Sequence, residues 1–254
     1  MPAKKRNGGA TSLSGIGSMS NKKLKRKKPI NTDSMVDIKP LTKNQEKFFE
    51  SYDKGKNIFA YGAAGTGKTF IALYLALKEV LNEMTPYEKV YVVRSLVSTR
   101  EIGFLPGDHE DKSSLYQIPY KNMVRFMFEM PDDPSFEMLY ANLKAQDTIS
   151  FWSTSFIRGT TIDNSIVLVD ESENLNFHEL DSIITRLGVN SKIVFAGDAA
   201  QTDLTKAHEK TGIMDFKKII DDMEEFEGIE FGIDDIVRSG LVKSYLISKM
   251  NLGL

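Results

Sequence analysis

The sequence has 254 residues, of which 41% are hydrophobic and 27% are charged, and it contains no cysteine. This composition suits one globular domain with extensions, and it excludes disulfides and thiolate metal sites. It shows neither an apolar run long enough for a membrane span nor a secretory leader, so we expect a cytoplasmic protein that does not enter a membrane.

The charges are unevenly distributed along the chain. Residues 1–28 carry nine Lys and Arg and no acidic residue, which leaves 24 basic against 35 acidic residues in the remainder. The segment is rich in Gly, Ser, Asn and Lys and too poor in apolar residues to bury a core. We predict a disordered basic arm over residues 1–37 and a folded domain over 38–254. The arm could contact the phosphates of a nucleic acid, or it could serve only solubility.

The apolar pattern predicts helices and strands in alternation. Thr42 can cap a first helix that contains Gln45 and Tyr52 and that Gly55 ends. Short apolar runs predict strands at 57–61, 89–93, 148–152, 165–169, 192–196 and 229–231. Further helices are predicted over 69–77, 135–144, 176–187, 211–224 and 241–250. Another is predicted in the region from 113, whose Met and Phe residues we expect in the core or a subunit contact, with a break at Pro131 and Pro134.

This alternation predicts an α/β fold of three layers with a mainly parallel sheet and a single lobe. Most of the predicted strands are almost wholly apolar, as expected for parallel strands that are covered on both faces. Ligands of such sheets bind at the carboxyl ends of the strands.

One stretch between the first strand and the second helix fits the phosphate-binding P-loop pattern. It consists of Gly62, Ala63, Ala64, Gly65, Thr66, Gly67, Lys68 and Thr69. The glycines let backbone N–H groups wrap the phosphates of ATP, and the following helix presents its positive end to them. Lys68 would neutralise the outer phosphates, and Thr69 would offer its hydroxyl to Mg²⁺.

Two further features follow buried strands. Asp170 and Glu171 come directly after four apolar residues, as in a Walker B motif, where Asp170 would hold Mg²⁺ and Glu171 would take a proton from the attacking water. An acidic pair that caps a helix is the alternative. Gln201 lies in a G-D-x-x-Q stretch like that of superfamily 1 helicases and could sense the γ-phosphate, or it could be an exposed turn residue.

Four other side chains are candidates on weaker grounds. The amide of Gln45 could pair with the N6/N7 edge of adenine, although a solvated helix residue fits the spacing as well. Arg94, Arg158 and Arg238 could each bind a phosphate or a partner carboxylate, or could lie on the surface.

Together these stretches resemble the PhoH-like family of P-loop ATPases. The resemblance spans roughly residues 38–250, and the compact length is similar to the phage-encoded branch. Its motifs are L-T-K-N-Q at 41–45, the P-loop, G-F-L-P-G-D at 103–108, F-I-R-G-T-T at 156–161, V-D-E at 169–171 with Asn174, T-R-L-G at 185–188, G-D at 197–198 with Gln201, D-L at 203–204, and D-I-V-R at 235–238.

The resemblance implies a RecA-like core related to the N-terminal half of superfamily 1 helicases, with ATP hydrolysis, a link to RNA and a ring-shaped oligomer. Two positions depart from the family pattern. Glu173 replaces the Gln that helicases use to couple nucleotide to nucleic acid, and Ser95 replaces a Pro. The first departure puts unwinding in doubt.

The first functional hypothesis is therefore a Mg²⁺-dependent ATPase acting on RNA or single-stranded DNA. A single lobe lacks the arginine that a second lobe supplies in tandem helicases, so that arginine must come from the local loops or from another copy of the chain. A head-to-tail contact that supplies it would close into a ring, and we predict a hexamer with its ATP sites at subunit interfaces. Arg238 is the first candidate and Arg186 the second. The competing hypothesis is an ATP-switched assembly or adaptor protein. A small-molecule kinase would leave Glu171 and Gln201 unexplained.

Overall fold

The computed structural model describes residues 30–94, 109–157, 159–198 and 207–252. Within them, six strands form one sheet: β1 (Asn57–Gly62), β2 (Lys89–Arg94), β3 (Ile149–Ser153), β4 (Ser165–Asp170), β5 (Ser191–Ala196) and β6 (Phe226–Phe231). The strand order is β3-β2-β4-β5-β1-β6, and every neighbouring pair is parallel. The predicted α/β fold with a mainly parallel sheet is confirmed.

The helices of the described residues lie between and after these strands. They are α1 (Lys43–Asp53), α2 (Lys68–Leu81), α3 (His109–Phe128), α4 (Asp133–Ala145), α5 (Thr154–Ile157), α6 (Phe177–Ile184), α7 (Ala207–Asp221) and α8 (Gly240–Asn251). Short 3₁₀ turns occur at Thr32–Ser34, Ser172–Asn174 and Ile233–Asp235. None of these helices has the length and apolar character needed to cross a membrane.

Alternate residues of each strand face two separate cores, which makes the fold three-layered. In β4, Ile166 and Leu168 pack with residues of α1, α2, α3 and α4, whereas Val167 and Val169 pack with residues of α6 and α7. Because both faces are covered, β4 is buried along its whole length. The apolar runs that predicted the strands have this physical origin.

Local signals place most helix ends. The Thr42 hydroxyl accepts from the backbone N–H of Gln45, and Gly55 takes a left-handed conformation just after α1. Helix α6 ends at Ile184, so the prediction that it extends to 187 is wrong. The reason is a competing contact, since the carbonyl of Arg186 accepts from the backbone N–H of Ile162.

Two helices fill the region between 113 and 144, as predicted. Helix α3 ends at Phe128 before Glu129, whose φ is 40°, and Asp132 caps α4 by accepting from the backbone N–H of Ser135. The structure adds that Pro119 lies inside α3.

The predicted boundary of the disordered arm at residue 37 is wrong. Ile30 is buried in the core, and Met35 and Ile38 pack against it. The backbone N–H of Val36 also donates to the carbonyl of Met127. These apolar side chains find partners on α2 and α3, which a local count of apolar residues could not reveal. The remainder of the arm, residues 1–29, lies outside the described residues.

Candidate active site

Four neighbouring strands end at the same edge of the sheet, at Gly62, Arg94, Asp170 and Ala196. The register places Arg94 beside Asp170 and Asp170 beside Ala196. Because all strands are parallel, the loops that follow them meet at this carboxyl edge. The structure therefore brings the P-loop and the acidic pair to one place.

The P-loop passes from β1 into α2 through backbone conformations that suit glycine. Gly62, Gly65 and Gly67 have φ angles of 108°, 73° and 85°. A Cβ on Gly62 would overlap the carbonyl oxygen of Phe231 in β6, so the loop is also packed tightly from behind. Helix α2 begins directly after Gly67, which leaves its first N–H groups available to an anion.

Lys68 is buried beneath this loop. Its Nζ donates to the carbonyl oxygens of Ala63 at 2.7 Å and Gly62 at 3.0 Å, and to the Thr66 hydroxyl at 3.3 Å. Burial lowers the pKa of the Lys68 ammonium, and the neighbouring carboxylates, Asp198 first among them, offset only part of that effect. The ammonium is thus held by neutral oxygens.

A pocket of about 240 Å³ lies in front of the P-loop. Its charged lining consists of Lys68, Asp170, Glu171, Glu173, Asp198 and Arg238. A larger cavity of about 550 Å³ lies behind Ala63 and Ala64, and its walls from β6, α7 and α8 are mostly apolar. The smaller pocket is lined by the first residues of α2 and by Lys68 and Arg238, so it is the candidate phosphate site.

Asp170 is fixed by a donor on each carboxylate oxygen. The Thr69 hydroxyl donates to Oδ1 at 2.7 Å, and the buried Tyr120 hydroxyl donates to Oδ2 at 2.7 Å. Burial, and then the charge of Asp170, raise the pKa of Tyr120, so its proton stays on the phenol. The sequence analysis did not single out Tyr120, because nothing local to α3 indicates a contact with a residue 50 positions away.

The backbone of Glu171 is left-handed, with φ 50° and ψ 44°. Residues other than glycine rarely adopt this conformation. Arg94 donates from Nη2 to Glu171 Oε1 at 2.5 Å. The Arg94 guanidinium also lies over the ring of Tyr116, 5.6 Å from its centroid. Of the two predicted options for Arg94, phosphate or carboxylate, the structure shows a carboxylate, and that carboxylate belongs to its own chain.

Glu173 lies deep in the site, with its Oε2 2.6 Å from where a Cβ on Gly197 would stand. Burial raises the pKa of its carboxyl to about 7, although the backbone N–H groups of Glu173 and Asp198 favour the ionised form. An acid with this pKa is largely neutral at slightly acidic pH, and its protonated form has the same shape as a Gln side chain.

Arg238 packs on the P-loop of its own chain. A Cβ on Gly65 would lie 2.8 Å from Arg238 Cγ, and the backbone N–H of Val237 donates to the Gly65 carbonyl at 3.1 Å. Of the two expected sources of this arginine, the local loops or another copy of the chain, the geometry favours the local loops, because the stretch after β6 folds back onto the phosphate pocket. Arg186, the second candidate, lies beside Ile162 near the amino end of the sheet.

Gln45 reaches the P-loop, but not in the predicted role. Its Nε2 donates to the Thr66 carbonyl at 2.9 Å, and its Oε1 accepts from the backbone N–H of Leu41 at 2.7 Å. The side chain is buried with both amide atoms engaged. The predicted contact with adenine does not fit this geometry, in which Gln45 braces the P-loop against α1.

Other predicted residues cannot be placed. Gln201, Arg158 and the stretch 103–108 lie outside the described residues.

Comparisons with known proteins identify the family of this chain. A family model described as PhoH-like protein matches residues 37–248. The chain belongs to the PhoH-like family. It is 31% identical over 207 residues to a PhoH-like protein of Synechocystis sp., covering 81% of this chain and 60% of that protein. It is 29% identical over 210 residues to Protein PhoH of Escherichia coli, covering 81% of this chain and 57% of that protein.

The chain thus spans somewhat more than half the length of these PhoH-like relatives. Among solved structures, it is similar to the large terminase of a thermophilic bacteriophage in complex with ADP. That match has 14% identity and a TM-score of 0.46, and covers 83% of this chain and 50% of the other.

The residues at the pocket fit the Mg²⁺ that accompanies ATP in P-loop proteins. Mg²⁺ prefers oxygen ligands and is usually held by one or two carboxylates, waters and substrate phosphates. Thr69 Oγ1 and Asp170 Oδ1 supply an adjacent hydroxyl and carboxylate, and Tyr120 orients the latter from behind. A hydroxyl and a single oriented carboxylate suit an ion that arrives with a nucleotide.

Proposed function

We propose that this PhoH-like chain is a Mg²⁺-dependent ATPase that acts on single-stranded RNA or DNA. The observation that carries the ATPase is the contact between Thr69 of the P-loop and Asp170 at the end of β4, with Glu171 next in the chain. This arrangement joins an anion site, a metal ligand and a base in one pocket.

Each side chain has a distinct task in this proposal. Lys68 exchanges its P-loop carbonyl partners for the outer phosphates, and the N–H groups at the start of α2 bind the same phosphates. Thr69 and Asp170 hold Mg²⁺, which neutralises charge on the phosphates. Glu171 orients the attacking water and accepts its proton. Arg238, beside Gly65, adds a positive charge from within the same chain.

The nucleic-acid part of the proposal rests on other support. The resemblance links the family to RNA, and residues 1–28 carry nine basic residues on an otherwise acidic chain. Arg94 at the carboxyl edge adds a guanidinium outside the nucleotide pocket.

We also propose a homo-oligomeric ring, which we predict to be a hexamer. The observation that supports the ring is not the one that the sequence suggested. The arginine argument no longer supports it, since Arg238 lies at its own P-loop. Helix α8 supports the ring, because it has no buried residue and exposes Leu241 and Tyr245, while its Leu246 lies near Gly65 of the P-loop. Sedimentation of the wild type against Leu241→Ser/Tyr245→Ser tests this part, and a wild type that is monomeric at assay concentration removes the ring.

An ATP-switched adaptor remains a second candidate because of Glu173. This carboxyl lies where helicases of the resemblance carry a coupling Gln, and it is buried between Gly197 and the phosphate pocket. An adaptor would bind and hydrolyse ATP at a rate that single strands do not change.

Hydrolysis assays separate these candidates. The wild type should hydrolyse ATP only with Mg²⁺, and 30-mers of dT or rU should raise the rate. Glu171→Gln should bind ATP as the wild type does but turn over at least about 10²-fold more slowly, the usual contribution of a general base. An unchanged rate in this variant would exclude Glu171 as the base, and strand-independent hydrolysis would favour the adaptor.

A further inference from the structure

Arg94 and Glu171 form an ion pair at the carboxyl edge of the sheet, and the ATPase proposal assigns no function to this pair. Arg94 ends β2 and Asp170 ends β4, and the register sets them side by side. The guanidinium of Arg94 therefore stands level with the side chain of the next residue, Glu171, and donates to it at 2.5 Å.

The two partners face different surroundings. Glu171 lines the phosphate pocket in front of the P-loop, whereas Arg94 is not among the residues that line it. The Arg94 side chain is 25% exposed, so a group outside the pocket can reach it. Arg94 thus contacts Glu171 in the phosphate pocket and is itself accessible from outside that pocket.

The ion pair restrains the proposed base. A carboxylate that accepts a charge-assisted hydrogen bond has one of its oxygens committed to that partner, and its side chain is held in the orientation that the bond requires. The backbone of Glu171 is held between β4 and the 3₁₀ turn at Ser172–Asn174, and its carbonyl accepts from the backbone N–H of Asn174, so the side chain is the part that can reorient.

Arg94 also has capacity for another acceptor. Its hydrogen bond to Glu171 is made through Nη2, and its planar fork suits a phosphate as well as a carboxylate. A phosphodiester that approaches from the rim would compete with Glu171 for the guanidinium.

We propose that Arg94 is a positioning residue that restrains Glu171 until a backbone phosphate of a single strand binds Arg94 and releases it. The inference rests on the proposed function, since it concerns the regulation of the same hydrolytic site. It makes ATP turnover depend on the strand through one side chain, with no new contact to the nucleotide.

The decisive variant is Arg94→Gln, which keeps a polar side chain but removes the charge. Without strands, its kcat should rise about three- to tenfold above the wild type, the rate equivalent of losing a partly exposed ion pair. Addition of (dT)30 or (rU)30 should raise the wild-type rate but leave the variant unchanged. The Kd for a fluorescent ADP analogue should stay within about twofold of the wild type, because Arg94 does not line the pocket.

Two controls accompany this measurement. Arg125→Gln removes another ion-paired arginine, whose partner Asp133 lies on the surface, and it should behave as the wild type. The double variant Arg94→Gln/Glu171→Gln should be no faster than Glu171→Gln alone, because the effect of Arg94 acts through Glu171.

Several results would overturn the proposal. An Arg94→Gln chain that binds the ADP analogue normally but has lost turnover would make Arg94 part of the reacting site. One with wild-type basal rate and wild-type stimulation would show that the ion pair restrains nothing. A wild type that no strand stimulates would remove the trigger. If the proposed ATPase function itself is wrong, the result is different from all three. The wild type would then bind no nucleotide, or its hydrolysis rate would not depend on Lys68 and Glu171.

Discussion

Two buried lysines lie at opposite edges of the sheet, and their partners differ. Lys192, which is 4% exposed at the start of β5, donates to both carboxylate oxygens of Glu79 at 2.9 and 3.1 Å and lies 3.9 Å from the centroid of the Tyr52 ring. Lys68, which is 8% exposed at the carboxyl edge, donates only to neutral oxygens of the described residues.

The difference separates a structural charge from a binding charge. A buried charge is costly unless it is paired. At the amino edge the chain supplies the counter-ion itself, and the pair is complete. At the carboxyl edge the carboxylates stand farther off, and the anion that completes the site is expected to be the phosphate of a nucleotide. A buried lysine that only neutral oxygens hold therefore indicates an anionic ligand.

The largest effect should come from breaking the complete pair. Lys192→Met leaves the partly buried carboxylate of Glu79 without its partner, and the free energy of unfolding should fall by about 3 kcal/mol. Urea denaturation measures this loss, with exposed Lys78→Met as the control. Affinity for a fluorescent ADP analogue should be unchanged. A loss below about 1 kcal/mol would show that the two lysines are energetically alike.

The reverse pattern is expected for Lys68→Ala. Removing the charge-assisted bonds to phosphate should weaken ATP binding by at least about 10²-fold. The free energy of unfolding should stay constant or rise, because an ammonium without a carboxylate partner leaves the interior. Calorimetric titration with ATP and urea denaturation of the same preparation give both values. Unchanged ATP affinity would contradict the assignment of the phosphate site.

Stability at the carboxyl edge should also depend on pH through Glu173. Its pKa is raised from the usual 4.5 to about 7 in the folded state, so the unfolded chain releases this proton first as pH rises. Stability from this group is therefore full below about pH 4.5 and is lost as pH rises through about 7. Between pH 5 and 8, the free energy of unfolding of Glu173→Gln should rise by on the order of 2 kcal/mol relative to that of the wild type.

Urea denaturation at several pH values without nucleotide measures this slope, and exposed Glu83→Gln serves as the matched control. Parallel pH profiles of Glu173→Gln and the wild type would mean that Glu173 is ionised in the folded protein throughout this range.

The smallest effect concerns Tyr120→Phe. Losing the hydroxyl that orients Asp170 should raise the Mg²⁺ concentration needed for tight ADP binding by about tenfold, as for other residues that support a metal ligand. Titration of the fluorescent ADP analogue against Mg²⁺ shows the shift without any turnover. Tyr140→Phe is the control, since its buried hydroxyl has no partner among the described residues. Equal Mg²⁺ curves for the two variants would exclude this role for Tyr120.

The features that sequence reasoning predicted correctly are those that local physics determines. Apolar runs of β4 and β5 are buried because each strand is covered on both faces, and the P-loop needs glycine where φ is positive. The P-loop and the end of β4 also come together, with the oxygens of Thr69 and Asp170 2.7 Å apart, while their sharing of Mg²⁺ stays a prediction.

The remaining features depend on how distant parts of the chain pack together. The pairing of Arg94 with Glu171 requires the register of β2 against β4, and the position of Arg238 requires the stretch after β6 to return to Gly65. The sequence does not show which partners the amide of Gln45 has. In the structure its oxygen accepts from the backbone N–H of Leu41 and its nitrogen donates to the Thr66 carbonyl of the P-loop. No spacing within a motif carries this information.

The left-handed backbone of Glu171 has a consequence for protein engineering. For most L-residues this conformation costs about 1 kcal/mol or more in strain, whereas Gly, which has no Cβ, and Asn adopt it more readily. Selection for heat resistance alone should therefore enrich Gly or Asn at 171 and remove the proposed base in the same step. Directed evolution of a thermostable form needs a hydrolysis screen in every round, because at this position folding and catalysis favour different amino acids.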